Sequence, residues 1–158
     1  MKSRLMNSAG ILTATGLLAA AFVGGLEGTK TKAYRDILGI PTVCMGETRG
    51  VKMGDEYSLA ECRTMFGAAL VEYEGGMRSC VKEPDKLPAK TYVAFISGTY
   101  NLGVAGFCKS SMVRLANAGD LRGACDAFMN YRRGGKRVIQ GLINRRIDER
   151  KLCLEGLQ

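Results

Sequence analysis

Three residues in the first third of the chain have types and spacing suited to hydrolysis: Glu27, Asp36 and Thr42. Breaking a glycosidic bond needs two carboxyl groups in unlike surroundings. One gives a proton to the leaving oxygen, and the other acts on the attacking water. Glu27 follows a long apolar stretch directly, whereas Asp36 lies in a Gly-rich stretch that is poor in strand formers. The Thr42 hydroxyl is a candidate to help hold the water. A lone Glu and Asp nine residues apart are usually surface charges, so the elements around them must carry the argument.

The segment before Glu27 is the first of these elements. Residues 5–26 include no charge over 22 positions and follow Lys2 and Arg4. A helix rising ~1.5 Å per residue over that length matches the hydrocarbon thickness of a bilayer. Thirteen of the 22 are Gly, Ala, Ser, Thr or Asn, so insertion is weak. Three readings compete. A permanent anchor is disfavoured by that composition. A cleaved signal peptide has an A-x-A site at Ala19-Ala20-Ala21. A transient anchor would leave the bilayer intact and pack onto the domain as a helix. Cleavage would leave only Phe22–Leu26 before Glu27, too short a piece to hold a working glutamate at a helix end. The transient anchor is therefore the preferred reading, with residues 1–26 as the anchor and 27–158 as the globular domain. A buried Leu17, Leu18 or Phe22 would mark such packing.

Lys2 and Arg4 favour an N-terminus inside the cell, although Lys30, Lys32 and Arg35 follow the other end. The six cysteines resolve the choice, because an oxidising periplasm suits them. They lack CxxC spacing and the chain has no histidine, which leaves a disulfide framework ahead of zinc or redox motifs. Fifteen pairings are possible for six cysteines, and spacing does not choose among them. A net charge of +8 predicts attraction to a polyanion. Nucleic acid is disfavoured, since there is no zinc-finger spacing, no aromatic RNA-binding strand and no Trp. No cofactor or metal is expected.

The rest of the chain reads as α+β, mainly α. Residues 30–57, with apolar pieces at 37–40 and 42–45, predict a small β-hairpin region. Ser58 and Glu61 have capping-box spacing and open a helix. Leu59, Cys62, Phe66, Leu70, Tyr73 and Met77 form one face of it. Residues 89–102 predict a buried helix, and 110–117 and 121–131 two short ones. Residues 138–154 predict a last basic helix with Ile143, Ile147 and Leu154 inward.

The spacing E-x8-D-x5-T, within GLEGTKTKAYRDILGIPTVCMGET, resembles the catalytic segment of phage lysozymes of the T-even type, glycoside hydrolase family 24. The likeness continues through YNLGVAGFCKSSMVRLANAGDLRGACDAF and GGKRVIQGLINRRIDERKLCLEG, and covers residues 24–156. With its weakly apolar N-terminus, the chain looks like a signal-anchor-release endolysin of a tailed phage. The resemblance implies a two-lobed lysozyme fold: a small β-hairpin lobe, a long connecting helix from Ser58 and a helical C-terminal lobe. It implies cleavage, with inversion, of the β-1,4 bond between N-acetylmuramic acid and N-acetylglucosamine in peptidoglycan. Glu27 would be the general acid, Asp36 would activate water and Thr42 would assist. Arg145 would pair with Glu27 across the lobes. Tyr34, Tyr100 and Ser110 would line the cleft, although each suits a packing role equally.

The resemblance also implies the bridges Cys44–Cys62, Cys80–Cys108 and Cys125–Cys153. Glu47 departs from it, standing where many relatives carry His; it is either a third cleft carboxylate or a turn charge. The expected life cycle is a silent monomer in the host inner membrane, then a periplasmic enzyme after release. The alternatives are a secreted muramidase with a cleaved signal, and a murein-binding protein without turnover.

Overall fold

The computed structural model describes residues 3–36 and 39–158. Lys2, and the Ile37 and Leu38 of the expected hairpin, lie outside them. Helix α1 (Ala14–Glu27) begins at Thr13, whose side chain accepts from Gly16 N at 3.1 Å. It is the helical part of the apolar N-terminal segment. Ala19 and Val23 are fully buried, and Leu18 and Phe22 pack half-buried against the same core. Leu17 points outward at 60% exposure. Among the described residues no helix is long and apolar enough to cross a membrane.

The residues ahead of α1 fold back as a hook. Met6 pairs antiparallel with Leu12, and the turn between them uses Gly10 at φ 74°. Leu5 is 1% exposed, and its carbonyl oxygen lies so close to Gly16 that an added Cβ would sit 2.1 Å from it. Arg4 donates to the Leu87 carbonyl at 2.8 Å and stacks over the Tyr92 ring at 4.3 Å. The buried carboxylate of Glu74 accepts from the Ser3 hydroxyl, from Arg4 N at 2.7 Å and from the Tyr92 hydroxyl at 2.5 Å. The hook thus closes over the far end of the next long helix.

Strands β1 (Lys30–Arg35) and β2 (Pro41–Cys44) pair antiparallel, with Tyr34 opposite Thr42 and Arg35 opposite Pro41. Residues 55–57 add to the outer edge of β1 through Ala33 N to Asp55 O and Tyr57 N to Thr31 O, both 2.9 Å. Val43, Cys44, Val51 and Cys62 make a small core of their own beneath this sheet. The expected capping box then opens α2 (Leu59–Cys80), with Ser58 N donating to Glu61 Oε2 at 2.7 Å. Cys62, Phe66, Leu70 and Met77 face inward as the pattern predicts. Leu59 does not, at 55% exposure: the covered face starts a turn later, where the Cys44–Cys62 bridge ties sheet to helix.

Helix α3 (Ala89–Cys108) is the centre of the large core, packed on by α1, α2 and the last helix. Its residues 91–99 are buried all round, as expected of a helix without a polar face. Gly103, at φ 73° and ψ 157°, breaks its helical path. Then come α4 (Ser111–Asn117), α5 (Leu121–Asp126), a short 3-10 turn, the two-residue strands β3 (Arg133–Gly134) and β4 (Arg137–Val138), and α6 (Gln140–Glu155). The bridges Cys80–Cys108 and Cys125–Cys153 tie α2 to α3 and α5 to α6. All three pairings are those the resemblance implies.

The inward face of α6 differs in part from the one expected. Leu154 packs half-buried against the large core and Ile143 is half-buried, but Ile147 is 49% exposed, and Arg145, Arg146, Glu149, Leu152 and Cys153 are buried. Apolar spacing missed the charged part of this face because the charges that line it neutralise each other.

Candidate active site

Glu27 is the last residue of α1, at the seam between the large core and the small sheet. Gly28 follows at φ 68°, and its N–H returns to Gly24 O at 3.2 Å, which lets the chain leave the helix for β1. An L side chain is strained at that φ, so glycine suits the exit. The Glu27 carboxylate accepts from Arg145 Nη1, reaching across from α6. The guanidinium is held at its other edge too. Its Nε donates to Glu149 Oε1 at 3.0 Å, and its Nη2 to the Ser97 carbonyl at 3.2 Å.

On the sheet side, Asp36 closes the turn between β1 and β2. Its Oδ1 accepts from Ile40 N at 2.9 Å, and its own N–H donates to Ile40 O at 3.0 Å. Thr42 is 3% exposed and donates to Ile40 O at 3.0 Å, which leaves its hydroxyl oxygen as an acceptor. Tyr34, opposite Thr42, has its phenol raised by burial and then by the charges of Asp36 and Glu27. Tyr34 therefore feels both candidate carboxylates at once.

Tyr100 donates to Met45 O at 2.6 Å and stacks on Tyr73 at 4.7 Å between ring centroids. Burial first, and then the Glu27 charge, raise its phenol well above the ordinary range, so it remains a donor at all working pH values. Gly46, at φ 94°, passes close to both: a Cβ there would lie 3.8 Å from Glu27 Oε2 and from the Tyr100 ring.

Glu47 is tied into the turn that follows β2 and lies beside Tyr100. It accepts from Thr48 N, Arg49 N and the Arg49 guanidinium, and the Arg49 hydrogen bond holds its carboxyl below the usual range. Ser110 caps α4, accepting from Val113 N at 3.3 Å, and is buried. Sequence reasoning passed over Ser97, Glu149 and Arg146. The only signal was the R-R-x-x-E spacing, which puts Glu149 at i+4 from Arg145 and at i+3 from Arg146.

A glutamate at the end of a helix that leads into a small antiparallel sheet, bridged by an arginine from the last helix, is the arrangement of a lysozyme-type glycoside hydrolase. The chain belongs to the phage lysozyme family, which matches it over residues 24–149. It is 34% identical to the SAR-endolysin of Bacteriophage PS119 over 167 aligned positions, which cover 100% of this chain and 99% of the relative. It is 38% identical to the SAR-endolysin of Pseudomonas phage phiKMV over 144 positions, covering 87% of this chain and 88% of that one. A solved mutant of P22 lysozyme superposes with a TM-score of 0.76 at 28% identity, covering 98% and 99%.

Proposed function

We propose that Glu27, Asp36 and Thr42 carry a single-displacement cleavage of the β-1,4 bond between N-acetylmuramic acid and N-acetylglucosamine in peptidoglycan, for host lysis. Glu27 gives its proton to the leaving glycosidic oxygen as the anomeric carbon–oxygen bond breaks. Asp36 takes a proton from the water that forms the new bond on the opposite face, so configuration inverts. Thr42 accepts from that water and fixes its line of approach. Tyr34 and Tyr100 form walls of the cleft. The observation that carries this reading is the seating of Glu27 between Arg145 and the Tyr100–Gly46 wall, with Asp36 and Thr42 on the facing hairpin. Glu27→Gln tests it: murein turnover should fall by about a thousandfold, within the usual range for a general acid. Binding to insoluble murein should persist. Turnover that survives the change refutes the role, and a wild-type protein that binds without turnover supports the non-catalytic alternative.

Residues 1–26 act as a transient anchor, inserted with the N-terminus inside the host inner membrane and released into the periplasm, where the monomer works. The likeness to SAR-endolysins and the weakly apolar composition support this. Buried Leu5 and Ala19 favour retention over cleavage, because a cut after Ala21 would remove both from the large core. While the segment lies in lipid, the helix that ends in Glu27 is missing from the domain. Release needs Lys2 and Arg4 to cross against an inside-negative potential, at about 2.3 kcal/mol per charge per 100 mV. Collapse of the potential removes that hold. Intact-mass measurement on protein from depolarised cells separates full-length release from loss of the leader.

A further inference from the structure

Glu149 is fully buried and idle in the mechanism above, its carboxyl pushed up by burial against the opposing pull of Arg146 and Arg145. It belongs to a row of alternating acidic and basic groups: Glu27, Arg145, Glu149 and Arg146. Arg145 Nη1 meets Glu27, and its Nε meets Glu149 Oε1 at 3.0 Å. Glu149 Oε2 lies 2.8 Å from Arg146 Nε, and Arg146 Nη2 donates to Asn101 Oδ1 at 2.9 Å. From α3, the Ser97 hydroxyl donates to Glu149 Oε1 at 2.6 Å, while Arg145 Nη2 reaches the Ser97 carbonyl and hydroxyl oxygens, both at 3.2 Å. Glu27 therefore supplies one of the partners of Arg145, and the Glu149–Ser97 cradle supplies the rest.

We propose that Glu149 is a positioning residue that, with Ser97, orients Arg145 and takes up part of its charge, so that Glu27 is aimed by the arginine without being locked as an anion. A general acid must carry its proton when substrate arrives. A guanidinium paired with that acid alone would oppose protonation, because an arginine keeps its charge at every accessible pH. A second carboxylate on the other edge of the guanidinium divides that pull. The cradle also sets the arginine rotamer from two rigid helices rather than from the acid it serves. The groups facing Glu27 are Arg145 from α6 and the phenols of Tyr100, Tyr73 and Tyr34 from α3, α2 and β1. Arg146 also lies within range of its charge. Glu149 faces Arg145 and Arg146 on its own helix and Ser97 on α3.

The inference rests on Glu27 being the proton donor, so Glu27→Gln is measured alongside. Glu149→Gln keeps the acceptor oxygen and removes the charge. It also leaves Arg146 buried and unpaired, so Arg146→Met/Glu149→Gln is made as well. In folded Glu149→Gln, with circular dichroism matching wild type, the alkaline limb of kcat/KM should move about one pH unit lower, and in the double variant, which also removes the Arg146 charge within range of Glu27, it should move less. A profile superimposable on wild type overturns the inference and reduces Glu149 to a counter-ion for Arg146. Ser97→Ala, which removes one hydroxyl and no charge, reads the positioning part should both charge variants unfold. Its kcat should fall about tenfold with KM within about twofold of wild type, and an unchanged kcat overturns the inference. Full activity in Glu27→Gln sinks the acid assignment itself, whereas a dead Glu27→Gln beside an unshifted Glu149→Gln sinks only the role of Glu149.

Discussion

At the residue scale, the energetics of the site turn on one guanidinium shared by two carboxylates. Arg145 is 7% exposed and Glu149 is 0% exposed, so their charges have little water to fall back on. Breaking a buried pair by removing one partner costs about 3–5 kcal/mol. Arg145→Met should fall near the low end, about 3 kcal/mol, since Arg146 still faces Glu149 and Glu27 is partly open to solvent. Urea denaturation reads this directly. An unchanged midpoint would show that the row of charges holds nothing together. Lysine would not substitute, because its point charge cannot serve two carboxylates and a backbone carbonyl in one plane.

At the scale of the element, α1 reconciles two demands. Small residues keep the segment weakly apolar, and one of them also lets the hook dock. Gly16 meets the Leu5 carbonyl so closely that no side chain fits, whereas nothing lies within 4 Å of a Cβ built at Gly25. Both glycines are inside the helix, where alanine gains up to about 1 kcal/mol in propensity. Gly25→Ala should therefore stabilise the protein. Gly16→Ala should destabilise it, because evicting the hook takes Leu5 out of the core at a cost of about 2–5 kcal/mol. Thermal melts of the two variants should move in opposite directions. If both melt higher than wild type, the hook is not seated as described.

At the scale of the whole molecule, the proposed anchor would set two states of one chain in competition, and the surface of the folded state offers a way to bias them. Ala14, Ala21 and Gly25 are exposed, so leucine there leaves the large core untouched. Each leucine favours insertion by about 0.5 kcal/mol. The triple variant should stay longer in the membrane fraction and delay lysis, while its released form digests murein at the wild-type rate. Lysis on the normal schedule would argue against the anchor. Acid acts on the folded state as a whole. Glu47, Glu61, Asp85 and Glu155 are all held below their usual range: Glu47, Asp85 and Glu155 by hydrogen bonds from Arg49, Arg78 and Lys90, and Glu61 by its bonds to Ser58. A carboxyl lowered by folding stabilises the fold above its unfolded value, and the gain disappears as pH falls through the lowered one. These four groups should therefore make the melting temperature fall as the pH drops below 4.5, the unperturbed glutamate value, with Glu149, raised by burial, pulling the other way. A melting point that rises on acidification would rule this out.

Much of this protein is legible in its amino-acid sequence alone. The E-x8-D-x5-T spacing, the Ser58–Glu61 box and the long α2 face are local patterns, and local patterns survive folding. The three bridges came from likeness rather than spacing, since cysteine positions alone leave every pairing open. Tertiary structure decided what polarity scales misjudge. On polarity alone Glu74, Arg146 and Glu149 belong at the surface, yet they are buried along with Arg145, because a charge can leave water once an opposite charge or a set of donors replaces its hydration. Ile147 moved outward for the same reason. The seat of the hook against Gly16 was equally invisible, because it depends on a backbone oxygen eleven residues away in sequence and on the fold that brings it there.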